Sequence, residues 1–296
     1  MLSVAAPAEA QEIEPRRWTH TPNGANFFGF GYGHSDGNVF FDQSLQIEDA
    51  NSEVHGFGMG FIHSFGLFGK SSRFEMKVPY GYGRWQGLLE GEPASTSRSG
   101  FADPEIRFAM NLYGAPSMDP REFAQFRATQ KSSTIVGAAL KVTLPMGEYD
   151  RNRLINLGSN RWVFKPQLGV VHQRGKWTGE ITGSVWLFGE NDRYQGSNTL
   201  KQDPFYTIQG HLIYTARPGL WASLSGGYGT GGSPEVNGVD TGNRQGNFLW
   251  AASFGFAFNR YHGVKIAFLN GRTVEDTGVD YNQVQVGYSF MWGEGL

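Results

Sequence analysis

Charged side chains recur at alternate positions in two segments of this sequence. The two runs are Arg73, Glu75, Lys77 and Asp103, Glu105, Arg107. Because alternate residues of an extended strand point to the same face, each run places acids and bases side by side on one surface. If the two segments are neighbours in a sheet, opposite charges can face each other across the strands. The spacing predicts a ladder of ion pairs that lines a polar path.

Other kinds of chemistry have little support in the sequence. The chain has no cysteine, which excludes disulfides, thiolate nucleophiles and thiolate metal sites. His55 and His63 fall on the opposite register from the charges, and no G-x-S-x-G nucleophile motif accompanies them. A net charge of −2 lacks the basic excess of a nucleic-acid-binding protein. We predict no catalytic residue, no metal site, no cofactor and no nucleic-acid partner.

The elements that carry these charges are alternating segments separated by Gly, Pro, Asn and Asp clusters. Glycine is abundant at 42 of 296 residues, aromatic residues make up 15% and charged residues only 18%. This composition and the period of two favour strands. About twelve strands are predicted, near residues 26–34, 53–65, 72–84, 101–113, 133–145, 161–172, 176–188, 204–215, 219–229, 246–258, 263–271 and 281–292. No apolar run is long enough for a helical membrane span.

The two faces of these strands differ in a way that identifies their solvents. One face is rich in Phe, Tyr and Trp, as the interfacial girdles of membrane barrels are. The other presents the charged or polar residues Arg73, Glu75, Lys77, Asp103, Glu105, Arg107, Lys141, Lys165, Glu180, His211 and Lys265. A dry core could not hold so many ions, whereas a wet lumen can. We therefore predict an all-β fold, a transmembrane antiparallel β-barrel of about 12 strands over residues 21–296, with these residues lining the lumen.

The connections and the amino terminus complete this prediction. Short turns alternate with long polar loops, as at the periplasmic and outer ends of such barrels. Residues 117–130 predict one short periplasmic-side helix, capped by Asp119, which is either a plug or interfacial anchor or a surface helix on the rim. Residues 1–20 are interpreted as a residual signal peptide and flexible N-terminus, with a disordered Ala-rich terminus as the alternative.

Four prolines lie within or at the ends of consecutive strands. They are Pro79, Pro104, Pro145 and Pro166. Proline donates no ladder hydrogen bond, so the pairing should break along one sector of the wall. The sequence leaves two interpretations, a lateral opening for apolar solutes or bulges that shape the barrel.

Three segments resemble a known family. They are "FADPEIRFAMNLYGAP", "LPMGEYDRNRLINLGSNRWVFKPQLGVV" and "DPFYTIQGHLIYTARPGLWASLSGGY". They resemble the bacterial outer-membrane barrel transporters labelled "putative MetA-pathway of phenol degradation", over about residues 20–292. The resemblance implies uptake of small, aromatic or apolar compounds, and it brings no catalytic residues. The closing strand also fits the polar-x-Gly-x-x-aromatic-x-apolar assembly signal with Gln285, Gly287, Phe290 and Trp292, so the outer-membrane assembly machinery is an expected partner.

The function favoured by these features is a passive channel in the bacterial outer membrane, in contact with lipid, lipopolysaccharide and a small apolar solute. Inward aromatic residues either give such a solute a path or fill space; these are Phe27, Trp186, Phe188, Phe205 and Trp221. One alternative is a structural or adhesive barrel, whose acidic first loop would bind divalent ions or lipopolysaccharide or be merely solvated; its acids are Asp36, Asp42, Glu48 and Asp49. An outer-membrane lipid hydrolase is a weaker alternative.

Overall fold

Antiparallel strands form most of the computed structural model, which describes residues 13–42 and 45–293. The bounds of the elements are β1 Asn26–Phe40, β2 Ile47–Leu67, β3 Lys70–Leu89, β4 Glu92–Phe101, β5 Glu105–Tyr113, α1 Pro120–Thr129, β6 Ser132–Thr143, β7 Val163–Arg174, β8 Trp177–Phe188, β9 Asn191–Tyr194, β10 Asn198–Gln202, β11 Phe205–Arg217, β12 Leu220–Gly231, β13 Pro234–Val236, β14 Val239–Asp240, β15 Gln245–Ala257, β16 His262–Thr273 and β17 Gly278–Trp292. In the described chain, no helix is long and apolar enough to cross a membrane.

The large sheet closes on itself, because β1 pairs with β2 on one side and with β17 on the other. Asn26 lies opposite Trp292, and Phe28 lies opposite Phe290. β4 and β5 share one position in the wall, since β4 pairs with the second half of β3 and β5 with its first half. The predicted closed barrel of twelve antiparallel strands is confirmed. Closure satisfies the backbone groups that lipid cannot.

The faces of the wall follow the sequence alternation. On β15, Phe248 and Phe254 are 47% and 48% exposed, whereas Leu249 between them is 1% exposed. The exposed row consists of apolar and aromatic side chains, and the buried row turns toward the interior of the barrel. Most long connections lie at one end of the barrel, the long-loop end. Tight turns such as residues 175–176 lie at the other, the short-turn end, together with the connection that carries α1.

Some elements depart from the sequence prediction. The sequence predicts no strand at most of β4, nor at the short strands β9, β10, β13 and β14. These four short strands form a separate small sheet in the long loops. β4 has the sequence EPASTSRSGF, whose polar residues do not alternate with apolar ones, so it carries no period-2 signal. The strands that do alternate lie within a few residues of their predicted bounds, apart from long extensions of β1, β2 and β3 at the long-loop end.

The helix α1 forms at the short-turn end, as predicted. Asp119 caps it by accepting hydrogen bonds from the amides of Arg121 and Glu122 at 2.8 and 2.9 Å. Glu122 completes the capping box by accepting from the amide of Asp119 at 3.2 Å.

The amino-terminal segment, residues 13–25, packs inside the barrel. Trp18 has no exposed surface and Ile13 packs against Leu249 and Leu269 from the inner wall. The flexible terminus predicted for residues 1–20 is therefore wrong for residues 13–20, and residues 1–12 lie outside the described part of the chain. This packing is not predictable from the sequence, because the segment alone shows neither alternation nor a helical period.

Candidate lumen and lateral site

An ion network runs across the inner wall from β3 to β7. Glu75 lies opposite Arg107 in the ladder between β3 and β5. Arg107 donates from Nη1 to Oε1 of Glu75 at 2.6 Å and from Nε to Oε1 of Gln167 at 2.7 Å. Arg73 reaches the same Glu75 carboxylate at 3.7 Å. Because Arg107 is 3% exposed, this network is largely shielded from bulk water, and dissolved salt weakens it little.

A second network lies beside the first. Lys77 faces Glu105 in the ladder, and its Nζ lies 3.9 Å from Oε2. Lys141 on β6 donates to the other oxygen of Glu105 at 2.5 Å. Glu105 is therefore shared by two cations from opposite sides. The two networks bring together residues that the sequence predicted to face each other.

Two members of the predicted ladder have other partners. Arg73 lies opposite Ala109 rather than an acid of the neighbouring strand. Asp103 lies in the break between β4 and β5, where its Oδ1 accepts from the amide of Gly147 at 2.7 Å. Its Oδ2 accepts from the amide and hydroxyl of Ser159 at 2.7 and 2.6 Å. The predicted face-to-face ladder of six is wrong for these two residues. The register of β3 and β5 leaves no acid opposite Arg73, and Asp103 is outside the ladder because the chain leaves the strand at Ala102.

The other predicted lumen residues lie farther around the wall. Lys165 is buried, and its Nζ lies 4.0 Å from the centre of the Trp186 ring, with Nζ of Lys141 5.1 Å from the same ring. His211 is buried, with Nδ1 2.8 Å from the Ser225 hydroxyl. Their burial places these side chains on the inner side of the wall.

Trp18 of the amino-terminal segment fills the lumen against β5 to β8. Its Nε1 donates to the hydroxyl of Thr182 at 2.8 Å, and the Arg107 guanidinium lies 5.0 Å from the centre of its ring. A Cβ at Gly137 or Gly169 would overlap the indole ring, so these two glycines make the space that the ring occupies. The segment is thus built into the wall at this point.

Predicted lumen residues also anchor the rest of this segment. Glu180, which is buried, accepts a hydrogen bond from the backbone amide of Arg16 at 3.0 Å. The guanidinium of Arg16 lies 5.3 Å from the centre of the Trp221 ring. Lys265, which is partly exposed, contacts Oε1 of Glu14 at 3.4 Å. The inward charges therefore bind part of the chain itself as well as one another.

The helix α1 contacts this segment at the short-turn end. The ring of His20 meets Phe123 and Phe126 edge-on, with centroids 4.9 and 5.6 Å away. Nε2 of His20 lies 2.8 Å from the carbonyl oxygen of Pro116, to which its N–H can donate. Burial lowers the pKa of His20, with a further lowering from the nearby Arg127 cation. The apolar face of α1 therefore clamps the segment where it enters the barrel.

The wall itself is incomplete on one side, in a sector from β3 to β8. β4 pairs with β3 on one side, and on its other side it pairs with no strand of the described residues. The ladder of β3 has no partners at Val78 and Pro79 on this side, between Lys77 opposite Glu105 and Tyr80 opposite Phe101.

The four prolines noted in the sequence lie at or near interruptions of the strand pairing. Pro79 accepts from the amide of Ala102 at 3.0 Å, and Pro104 accepts from the amide of Leu144, beside Pro145, at 2.9 Å. Pro166 keeps its place opposite Leu140, but β7 and β8 do not pair at Lys165 and Pro166. On its other side Pro79 continues the ladder opposite Gly58. The pairing is thus interrupted at particular places, as expected for a residue without an N–H.

Residues 144–162, which we call the cover loop, replace the missing strand pairing beside β4. Glu148 donates its amide to the carbonyl of Phe101 at 2.8 Å, and Arg98 donates from Nε to the carbonyl of Ile155 at 3.0 Å. The carboxylate of Asp103 holds both ends of the loop through Gly147 and Ser159. Sequence reasoning placed Asp103 in the lumen and missed this role; the adjacent Pro104, which ends a strand, was the available signal.

Apolar side chains flank the cover loop on both sides of the wall. Phe101, Met146 and Trp162 are 51%, 71% and 49% exposed, and the rings of Phe101 and Trp162 pack with Tyr80 and Phe164 of the outer surface. Inside, a buried cluster is formed by Val163, Trp186 and Phe205, with Phe188 packed against it. Because Trp162 and Val163 are consecutive, the outer and inner apolar surfaces meet at the start of β7.

Comparison with known proteins identifies related chains. The model of a family described as "Putative MetA-pathway of phenol degradation" matches residues 42–290. A search of curated protein sequences gave no match.

Solved structures share the architecture. The COG4313 outer membrane channel from Pseudomonas putida F1 superposes with a TM-score of 0.77 at 20% identity, covering 95% of this chain and all of that one. The transport unit of the autotransporter AIDA-I from Escherichia coli gives 0.52 at 7% identity, covering 96% and 94%. The β domain of the Bordetella autotransporter BrkA gives 0.50 at 10% identity, covering 91% and 100%. At these identities the likeness establishes the fold, which is that of outer-membrane barrels.

Proposed function

This chain belongs to the family described as "Putative MetA-pathway of phenol degradation", and we propose on that premise that it is a passive, non-enzymatic channel of the bacterial outer membrane for small aromatic or apolar compounds. The observation that carries the proposal is the interrupted wall beside β4, covered by a loop with apolar surfaces on both sides. In an outer membrane, the long-loop end of such a barrel would face the cell exterior and the short-turn end would face the periplasm.

A straight path along the lumen does not suit an apolar solute. Trp18 occupies the lumen, and the Glu75–Arg107 and Glu105–Lys141 pairs line the wall next to it. An apolar molecule placed against these ion pairs would remove the little water that reaches them and offer no hydrogen bond in its place. The route that costs least therefore passes through the wall, from the inner cluster at Trp186 to the outer surface at Trp162.

Opening the cover loop would break few backbone hydrogen bonds between the loop and the barrel wall. Two of the wall residues beside it, Pro104 and Pro166, have no N–H that lipid would leave unsatisfied. The cover loop is held beside β4 by the carboxylate of Asp103 and by the contacts of Arg98 and Glu148. The next long loop also binds it, through Asn191, which donates to the carbonyl of Ser159. Release of Asp103 would therefore remove the contact that ties both ends of the loop to the break between β4 and β5.

A cysteine pair tests this proposal directly, because the natural chain has none. The double variant Asp103→Cys, Ser159→Cys would be placed in liposomes, and the uptake of a phenol-class solute measured with the pair reduced and oxidised. We expect oxidation to slow uptake at least several-fold, since the disulfide fixes the loop, and reduction to restore it. Each single variant is the control, and neither should respond to oxidant.

Two results would contradict the proposal. Equal uptake by the oxidised and reduced pair, with the disulfide shown to form, would exclude the lateral route. Absence of uptake by the wild-type protein would exclude the channel function itself.

One observation favours a second candidate function, a structural or adhesive barrel. The amino-terminal segment fills part of the lumen, as a sealed barrel would require. This alternative predicts zero conductance and no solute uptake in a reconstituted bilayer.

The same proposal includes the partners that a barrel of this kind needs. Outer-membrane lipid and lipopolysaccharide would contact the exposed aromatic surface. Gln285, Gly287, Phe290 and Trp292 on β17 would be read by the outer-membrane assembly machinery. In the structure these four residues lie within the seam that joins β17 to β1.

A further inference from the structure

Three potential metal ligands meet on the outer wall toward the long-loop end. His34 on β1 lies directly opposite His55 on β2, and Glu53 lies two residues before His55 on the same face. The ligand atoms of these three residues all lie within 4.8 Å of one another. Nε2 of His55 is 3.5 Å from Oε1 of Glu53, and the two imidazole centroids are 4.8 Å apart.

The cluster lies where the apolar band of the outer wall gives way to charge. Successive outward rows across β1, β2 and β3 are Tyr32, Phe57, Tyr80, then His34, His55, Tyr82, then Asp36, Glu53, Arg84. The first row is aromatic and the last is ionised, so the histidines lie at their boundary. A metal there is reached from water and is partly shielded by the neighbouring aromatic rings.

Both histidines have a ring nitrogen that can bind a metal ion. Nδ1 of His34 is buried and has no hydrogen-bond partner among the described residues. Nδ1 of His55 lies 2.9 Å from the hydroxyl of Tyr32. A phenol oxygen can accept as well as donate, so Tyr32 can hold the tautomer in which Nε2 of His55 carries the lone pair. The rings of Tyr32 and Tyr82, with centroids 6.2 and 5.9 Å from that of His55, limit its rotation.

We propose that His34, Glu53 and His55 bind a divalent transition-metal ion of the zinc and copper class. Two imidazoles and one carboxylate suit these ions, whereas calcium and magnesium prefer oxygen ligands only. Three protein ligands leave a further position for water. The ion joins β1 to β2 beside the seam that closes the barrel.

Zinc binding by the folded, untagged protein in detergent tests the site. Equilibrium dialysis should give one Zn²⁺ per barrel at this site, and the single variants His34→Gln, His55→Gln and Glu53→Gln should each weaken binding at least tenfold. His63→Gln and His262→Gln are matched controls, since their rings lie on the outer wall toward the short-turn end, bonded to Asn26 and Tyr288. Neither control should change the affinity.

Copper gives an independent readout of the ligands. The electron paramagnetic resonance spectrum of bound Cu²⁺ should show coupling to two imidazole nitrogens, and this coupling should be lost in the His34→Gln, His55→Gln double variant. Unchanged zinc affinity in that folded double variant would overturn the proposal. So would an equal loss of binding in His63→Gln.

Discussion

The seam that closes the barrel and the sector around β4 are built on different principles. At the seam, β1 and β17 pair without interruption from Asn26 opposite Trp292 to Phe40 opposite Gly278. At the sector, β3 and β5 pair only from Ser72 to Lys77, and the cover loop, held by the contacts of Asp103, Arg98 and Glu148, continues the wall. Regular alternation is enough to specify continuous pairing, whereas the sector depends on a few side-chain contacts. Changes of single residues should therefore alter the sector and leave the seam intact.

Removing the indole of Trp18 should have the largest effect. Trp18 packs on strands of the sector, through Gly137, Gly169 and Thr182, and not on the seam. Trp18→Ala should lower the stability of the docked segment by about 3–5 kcal/mol, as other large-to-small core changes do. We expect a larger single-channel conductance in a planar bilayer from a barrel that still folds. Trp177→Ala, at an exposed tryptophan of the outer wall, is the control and should keep the wild-type conductance.

Restoring hydrogen-bond donors should make the sector more like the seam. Pro79→Val with Pro166→Val gives β3 and β7 the N–H groups that they lack beside the breaks in pairing. If solutes cross the wall here, uptake of apolar compounds should slow several-fold while ion conductance stays the same. Pro234→Val, in β13 of the small sheet, should leave both unchanged. Wild-type uptake by the folded double variant would show that the prolines only shape the wall.

A smaller effect is expected from pH, through His20. Burial lowers the pKa of His20 in the docked segment, whereas a released segment has the ordinary value near 6.5. The released form therefore binds a proton first as the pH falls, and docking weakens from about pH 6.5 downward. Trp18 fluorescence and conductance should both report this release in wild type. The dependence should flatten in His20→Gln, and a wild-type profile unchanged by that substitution would exclude His20 as the cause.

The wall was predictable from the sequence because a period of two determines both the strands and their faces. Glu75 and Arg107 face each other as expected, since both belong to strands with clear alternation. The contacts inside the barrel were not predictable in the same way. The position of Trp18 depends on space left by Gly137 and Gly169, which are far away in sequence. Asp103 was assigned to the lumen because the alternation was extended through a break that only the neighbouring Pro104 signals.

The seam also determines the order of events in folding. Asn26 and Trp292 stand at opposite ends of the described sequence, so their pairing closes a very long stretch of chain, and contacts of such large sequence separation form slowly. The amino-terminal segment precedes β1 and lies inside the wall. A segment docked before the seam pairs would be enclosed by it, whereas one left outside would have to thread through a finished barrel. The slowest pairing in the molecule therefore gives residues 13–25 time to reach their place.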